Sequence, residues 1–570
     1  SSSSSSSNVD LFIHKKSLSS SLNVGSASTQ ELLDWKLVES GFEATLKGYE
    51  QFYNFDLNAA ELLIEPHLQT QPIACFLWGE IGFMRSVLSE NKQLLKAALN
   101  RLDLTVSLAE RVLRRTGKSP PKSGSEQQVL RQSAQILLSR VAQAEASLWN
   151  SVLKFKNEQH VKGVYHLRRS FKYFEKANEY REALGAERCA QIPFANHLNG
   201  AIDGGLGFFH FVVSIVPREW AWVVEGIGFS GERVEGLKEL LRSIQSEGFR
   251  SFVSYIHLTW IYAFFFQNAK EGEQFVSKVL EIYPKAAQLH YLAGYVLRKS
   301  GKTAEALEKF KLTYEYSTQH QDLQSMAEYD IGYNLMFQLK FKEARDTFEE
   351  IIGRDKELLK PYGYWQLAMC HLMTDQPKQC THYMKYLLTK FRKGFEYDEF
   401  AKIKAKKFLA NGLTDYEKEY FKVSLFLEAA DWKNALSALE TAEKVKKTEN
   451  DKALSAYARG VCMQNLEKFD EAMEAYKEAC KYEQALESSN KFVMPFSLTG
   501  MAEILIQKEE TKAAEKLLKK AKGYSNYDFS QLLGWRITHD FEDISAPAEY
   551  KALAHSADSV LKQSSSSSSN

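Results

Sequence analysis

Apolar positions recur every third or fourth residue along most of the chain, and one stretch interrupts that beat. Residues 31 to about 53 read as an amphipathic helix. Asp56 stands as the N-cap of a second helix, which carries Ala59, Ala60, Leu63 and Ile64. The pattern continues over 72–87 and 91–115 and is broken by the Gly, Pro and Ser cluster at 117–125. Ser125 and Gln128 then form a capping box that predicts a helix to about 155, with 159–184 as its antiparallel partner. Residues 31–195 therefore read as an N-terminal bundle of long helices. The interruption follows at 196–251. Gly200, Gly204, Gly205 and Gly207 are expected to prevent a helix from running through, and 206–216 is apolar on every face until Pro217. That pattern predicts a buried central hairpin.

From residue 252 a period appears. Gly294, Ala306 and Phe310 are followed by Gly332, Ala344 and Phe348, and all three offsets are 38 residues. In each unit a small residue on one helix faces a small residue on the next, and a large apolar residue one turn later is expected to fill the gap between stacked units. This is tetratricopeptide logic. It recurs in Ala435 with Leu439 and Ala442, in Gly460, Ala472, Tyr476 and Ala479, and in Ala502, Ala514, Leu518 and Ala521. The expected fold is all-α: a tetratricopeptide-like α-solenoid over 252–535, an inserted helix near 397–409, the bundle, and the central hairpin. Lys402, Lys404, Lys406 and Lys407 on the insert read as a solvated face, and Thr414 with Glu417 as a capping box that reopens the array. Low-complexity serine sequence predicts disorder over 1–30 and over most of the tail 536–570. The chain opens at Ser1 without a methionine, which leaves an upstream targeting segment open.

Composition narrows the functional classes. With 73 Lys plus Arg against 72 Asp plus Glu, the net charge of +1 offers no general attraction for nucleic acid. The 6 cysteines form no C-x-x-C pair and suit a reducing compartment. Two apolar runs, 206–216 and 252–266, fall short of the roughly 18 to 20 residues of a spanning helix, so no transmembrane segment is expected. They read as buried core, with lipid contact as the rival. No phosphate-binding G-x-x-x-x-G-K-[ST] loop, no H-E-x-x-H and no metal-ligand spacing of histidines occurs. Gly204, Gly205 and Gly207 approach a G-x-G-x-x-G, but position 210 is His and no strand precedes it. His210 and His257, on apolar helices, read as structural. No cofactor, metal or catalytic set is expected, and the chain reads as non-enzymatic.

The central stretch and its flanks resemble the tetratricopeptide repeat protein 39 family, whose fungal relatives are called inclusion body clearance proteins. GGLGFFHFVVSIVP at 204–217 and GFSGERVEGLKEL at 228–240 carry the match, with support from HLRRSFKYFE at 166–175 and LNAAELLIEP at 57–66. The resemblance spans roughly 31–535. It implies a non-enzymatic protein of the cytosol, with the nucleus as a second compartment, that acts through partners. For the fungal branch it implies turnover of cytosolic protein inclusions and an association with lipid droplets, and for the animal branch lipid homeostasis.

Residues at the fifth and ninth positions of such repeats tend to line the inner groove. Here these are Tyr291 with Tyr295 and Tyr329 with Tyr333, and then Trp365 at the fifth position. Peptide-carboxylate clamps of the wider repeat class place Lys and Asn there, so recognition of a chaperone tail is disfavoured. The aromatic stripe either packs as core beneath the protein's own N-terminal half or holds a protein partner. The leading expectation is a scaffold that binds protein partners through the repeat groove. The alternative is a peripheral protein of lipid droplets or of an organelle surface such as the mitochondrial outer membrane, using Trp220 and Trp222 beside Arg218 as the lipid-facing residues.

Overall fold

The computed structural model describes residues 27–556 apart from 90, 122–123, 217–230, 393 and 547. Among the described residues every regular element is helical. The first predicted helix is two, α1 (Thr29–Leu33) and α2 (Trp35–Tyr53). Asp34 divides them because its extended backbone ends one helix while its Oδ1 accepts from Lys36 N–H at 2.9 Å and starts the next. In the same way Asp56 caps α3 (Leu57–Ile64), accepting from Ala59 N–H at 3.0 Å. Helices α4 (Pro72–Val87), α5 (Lys92–Thr116), α6 (Glu126–Lys156) and α7 (His160–Leu184) follow, with the capping box of Ser125 and Gln128 in place at the start of α6. A short α8 (Ala186–Gln191) leads into the centre.

The four glycines do not break the helix, contrary to expectation. Helix α9 (Ala195–Ser214) runs straight through Gly200, Gly204, Gly205 and Gly207. It lies antiparallel to α10 (Arg233–Gln245), and the glycines are where the two backbones meet. A Cβ on Gly207 would sit 2.7 Å from Gly236 O and 2.8 Å from Leu240 N. One on Gly236 would sit 2.6 Å from Phe211 N. Each mid-helix glycine costs about 1 kcal/mol of helix propensity, but here the absent side chains let two buried helices touch, and that packing decides the outcome. The apolar residues Leu206, Phe209, Phe211 and Val213 are in the core. That core continues without a break from Leu32 to Ala293, across the boundaries expected at 195 and 251.

Helix α11 (Ser251–Trp260) ends in a π-helical turn at Ile261–Phe265 and is paired with α12 (Ala269–Ile282). The array then proceeds as α13 (Ala287–Lys299) with α14 (Thr303–Tyr316), α15 (Gln321–Phe337) with α16 (Phe341–Arg354), and α17 (Pro361–Met373) with α18 (Pro377–Thr389). The insert α19 (Glu396–Asn411) precedes α20 (Asp415–Glu428) with α21 (Trp432–Lys444), α22 (Glu449–Asn465) with α23 (Phe469–Lys481), and α24 (Val493–Gln507) with α25 (Thr511–Lys522). Phe310 and Phe348 pack on the glycine of their own pair, within 2.7 Å of a Cβ on Gly294 and 2.8 Å of one on Gly332. Tyr476 spans two units, lying 2.6 Å from a Cβ placed on either Gly460 or Gly500. The small positions are thus sockets for rings.

Two further expectations differ from what is observed. The insert's lysines are not a solvated face. Lys407 pairs with Glu417 and Glu487, Lys402 Nζ lies 3.6 Å over the Phe391 ring, Lys404 Nζ lies 3.4 Å from Asn490 Oδ1, and Lys406 alone of the four is exposed. The described part of the expected tail, up to residue 556, is also not unstructured: α26 (Ser530–Ser545) and α27 (Ala548–His555) are helices. They return the end of the array to its beginning. Arg233 pairs with Glu542 at 2.8 Å, Lys238 with Glu549 at 2.6 Å, and Tyr262 OH donates to Leu553 O at 2.9 Å. The superhelix closes on the central hairpin.

A buried ion triad fixes the bundle to the start of the array. Arg250, in the turn between α10 and α11, donates from Nε and Nη2 to Glu145 at 2.8 and 2.9 Å, and from Nη1 to both oxygens of Glu80 at 2.8 and 2.9 Å. Tyr49 OH adds a hydrogen bond to Glu80 at 3.0 Å. All three charged residues are buried, with Arg250 only 2% exposed. Burial pushes the Glu145 carboxyl up to about 7, against the pull of Arg250 and with the help of Glu80. The triad ties α4 and α6 to α11.

Candidate functional site: the inner wall of the superhelix

The first helices of successive pairs line the concave side, and the predicted aromatic stripe lies on them. Tyr291 and Tyr295, one turn apart on α13, both donate to Asp330 Oδ2 on α15, at 2.7 and 3.0 Å. Asp330 also receives Arg298 Nη1 at 3.1 Å, and the same guanidinium lies 4.3 Å over the Tyr295 ring. Burial, then the Asp330 charge, pushes both phenols up, Tyr295 to about 12. Tyr329 OH donates to Gln366 at 2.6 Å. Tyr333 OH bonds Tyr362 OH at 3.0 Å and donates to Glu428 on α20. Trp365 stacks on Tyr362 at 5.5 Å and meets Phe400 and Phe421 edge-on at 5.3 and 5.6 Å.

The five stripe residues therefore share a single polar and aromatic network. Tyr333 and Trp365 are buried, and the other three are half-buried. Tyr333 is met by Glu428 of α20, and Trp365 by Phe400 of α19 and Phe421 of α20, whereas Tyr291 packs against a cluster of Phe55, Ala287 and Leu323 that Met84 of the N-terminal bundle joins. The bundle also meets the array at the turn between α14 and α15, where His320 Nε2 lies 2.8 Å from Met84 O.

Beyond this network the wall is open. Tyr397 on α19 is 50% exposed, and its ring lies 5.0 Å from Tyr362 and 5.3 Å from Phe529. On α26, Leu532 sits one turn before Arg536 and on the same side of the helix. Leu532 is 58% exposed and its neighbour Trp535 50%. Arg536 pairs with Glu503, which also accepts from Gln464 at 2.7 Å.

Three charges from helices far apart in sequence converge here, namely Lys299, Glu428 and Arg536. Lys299 titrates below the usual lysine range because the protein around it displaces water, with Arg298 and Arg536 adding to that and Glu428 opposing it. Glu428 is raised by the same desolvation, against the Tyr333 hydroxyl, Arg298 and Lys299. Both keep exposed surface. These groups are wet but walled in, which strengthens their electrostatics relative to a free surface. Nearby, Asp540 is pushed up to about 8 by burial and by Glu503. The wall thus offers exposed rings beside both signs of charge, suited to an extended or helical peptide.

Sequence reasoning placed the stripe and missed the accessible half of the wall. Tyr397 was counted in an insert, and Leu532 and Trp535 stand at the edge of the segment assigned to the tail. The recurrence of Leu533, Ile537, Phe541 and Ile544 was the available signal that α26 folds back with a buried face. His210 Nδ1 lies 2.5 Å from Glu239 Oε2 on the facing helix. His257 stacks on Phe208 at 4.6 Å, and burial, with Arg250 adding, pushes it down to about 3. Trp220 and Trp222 lie outside the described residues. Among the described residues no group of three or more His, Cys, Asp or Glu is placed to hold a metal ion, and no helix is long and apolar enough to cross a membrane.

Paired helices with glycine sockets, stacked into a superhelix that closes on itself around an aromatic wall, define a tetratricopeptide-type repeat scaffold. The family model described as Iml2/Tetratricopeptide repeat protein 39 matches residues 46–466, and the chain belongs to that family. It is similar to Tetratricopeptide repeat protein ttc-39B of Caenorhabditis elegans, 20% identical over 547 residues that cover 90% of this chain and 92% of the relative. Among solved structures it is similar to the yeast Tom70, with 12% identity over 91% of this chain and 99% of that one and a TM-score of 0.23. The Cut9-Hcn1 hetero-tetramer of the APC/C is similar at 12% identity over 90% of this chain and 95% of that one, with a TM-score of 0.22.

Proposed function

We propose that the protein is a non-enzymatic adaptor that holds a segment of a partner protein against the inner wall of its superhelix. The observation that carries this reading is the accessible ring of Tyr397 beside the charges of Lys299, Glu428 and Arg536, with Leu532 and Trp535 exposed on the helix that carries Arg536. Rings of this kind give large contact area at low entropy cost, and charges held in a walled site set register. The family resemblance supports a cytosolic role, in turnover of protein inclusions or in lipid homeostasis. A lipid-inserting hairpin has less to draw on, because the apolar side of α9 is in the core.

Proximity labelling in cells, comparing wild type with a Tyr397→Ser, Trp535→Ser variant of equal helicity, tests the reading. The expected result is loss of a defined set of neighbours in the variant. Inclusion-handling or droplet-surface proteins among those lost would say which role applies, and an unchanged neighbour set would refute the adaptor reading.

A further inference from the structure

The inner wall uses one arrangement twice and fills it once. At its first occurrence the hydroxyls of Tyr291 and Tyr295 both donate to the carboxylate of Asp330. The Arg298 guanidinium completes that set, pairing with the carboxylate at 3.1 Å and stacking 4.3 Å over the Tyr295 ring. The second occurrence is at Glu428. Tyr362 OH lies 3.0 Å from Tyr333 OH, which in turn donates to Glu428 Oε1. With the Tyr333 proton committed to the carboxylate, Tyr362 donates to Tyr333, and the chain of hydroxyls runs toward Glu428. Tyr397 adds a third ring, 5.0 Å from that of Tyr362 and inclined to it by 59°.

No guanidinium completes this second set. Arg298 and Lys299 are close enough to pull the Glu428 carboxyl down against its desolvation, but among the described residues neither forms an ion pair with it, and Glu428 Oε2 receives no hydrogen bond. Arg298 is already held by Asp330, and Arg536 by Glu503. Glu428 is exposed and Tyr397 is 50% exposed, so the position a guanidinium would take is open to another molecule. Glu428 is also the last residue of α20, where the negative end of the helix dipole adds to its charge.

We infer that the Glu428 carboxylate, oriented by Tyr333 and Tyr362, and the ring of Tyr397 form a subsite for an arginine side chain of the partner segment, held as Arg298 is held by Asp330 and Tyr295. The guanidinium donates to Glu428 Oε2 and stacks on the exposed face of Tyr397. The inference rests on the adaptor reading and adds to it one residue that the bound segment must carry.

The probes are N-acetyl-arginine amide, its neutral isostere N-acetyl-citrulline amide, and N-acetyl-lysine amide. Each is titrated at constant ionic strength into the full chain carrying Tyr397→3-fluorotyrosine and followed by fluorine NMR. The arginine probe is expected to give a saturable shift, the citrulline probe to bind at least about tenfold more weakly, and the lysine probe to fall between them. Glu428→Gln keeps the length of the side chain and an acceptor for Tyr333, and is expected to weaken arginine binding by about tenfold or more. No saturable shift, equal binding of citrulline or of lysine, or no effect of Glu428→Gln would overturn the inference. If it is overturned while the Tyr397→Ser, Trp535→Ser variant still loses its cellular neighbours, the subsite falls and the adaptor reading stands. If arginine binds as expected and those neighbours are unchanged, the subsite stands and the adaptor reading falls.

Discussion

Replacing Arg250 by Met keeps the length of the side chain and removes its charge, leaving Glu80 and Glu145 in a protein interior with four donated hydrogen bonds lost. Breaking a buried ion cluster by removing one partner costs roughly 3–5 kcal/mol. At about 1.4 kcal/mol per power of ten, amides of α4, α6 and α11 should exchange hydrogen roughly two to three and a half powers of ten faster. Hydrogen exchange read by mass spectrometry is the suitable assay, since a repeat array does not unfold in one two-state step.

The sign of the pH dependence follows from the same geometry. Glu145 already sits near 7 with Arg250 pulling it down, so removal of Arg250 raises this carboxyl further and the folded variant binds more protons than wild type. The cost is therefore largest near pH 8 and shrinks as pH falls toward 5. Converting both carboxylates to Gln in the Arg250→Met background should recover much of the loss. An exchange increase that is the same at pH 5 and pH 8, or no increase at all, would refute the argument that these charges hold the bundle to the array.

Other outcomes follow from single contacts. Gly207→Ala should destabilise by roughly 1–3 kcal/mol, because its Cβ would meet backbone atoms of α10. Gly353→Ala, with nothing within 4 Å of its Cβ, should stabilise by up to about 1 kcal/mol, and melting curves of the two variants check the contrast. His257 is held neutral in the fold down to about 3, whereas the unfolded chain takes up this proton near 6.5, so its contribution to stability is lost as pH falls through that window. His257→Phe should therefore flatten the acid side of a melting-temperature profile between pH 7 and pH 5, and an unchanged slope would contradict it. Tyr550→Ala, which removes the ring packed 5.6 Å from Phe266, should speed hydrogen exchange in α27 while leaving α4 unchanged.

The repeat array was legible because its determinants are local: Gly294 with Phe310 and Gly332 with Phe348 lie within one hairpin, and their spacing survives in the sequence. Caps such as Asp56, Ser125 and Thr414 were legible for the same reason, since each acts on an amide two or three residues away. The glycines of α9 were misread because propensity is a property of one segment, whereas their role is set by Gly236 and Leu240 on another helix. Closure of the superhelix was harder still. Nothing near Glu549 in sequence indicates that its partner is Lys238, and a lysine such as Lys407 reads as solvated until Glu487 is brought beside it. The candidate site shared that fate: the stripe on α13, α15 and α17 repeats and could be found. The accessible wall of Tyr397, Glu428 and Arg536 is assembled from three helices that do not share a repeat position.

Contact at that wall is the central claim, and a photo-crosslinking residue placed at Trp535 reports it most directly, with the exposed outer position Tyr165 as the comparison. The account predicts intermolecular crosslinks to a small set of proteins from Trp535, absent from Tyr165 and lost when Tyr397→Ser is added. Crosslinks from Trp535 that stay entirely within the chain, or that match those from Tyr165, would mean that the inner wall is not where partners are held.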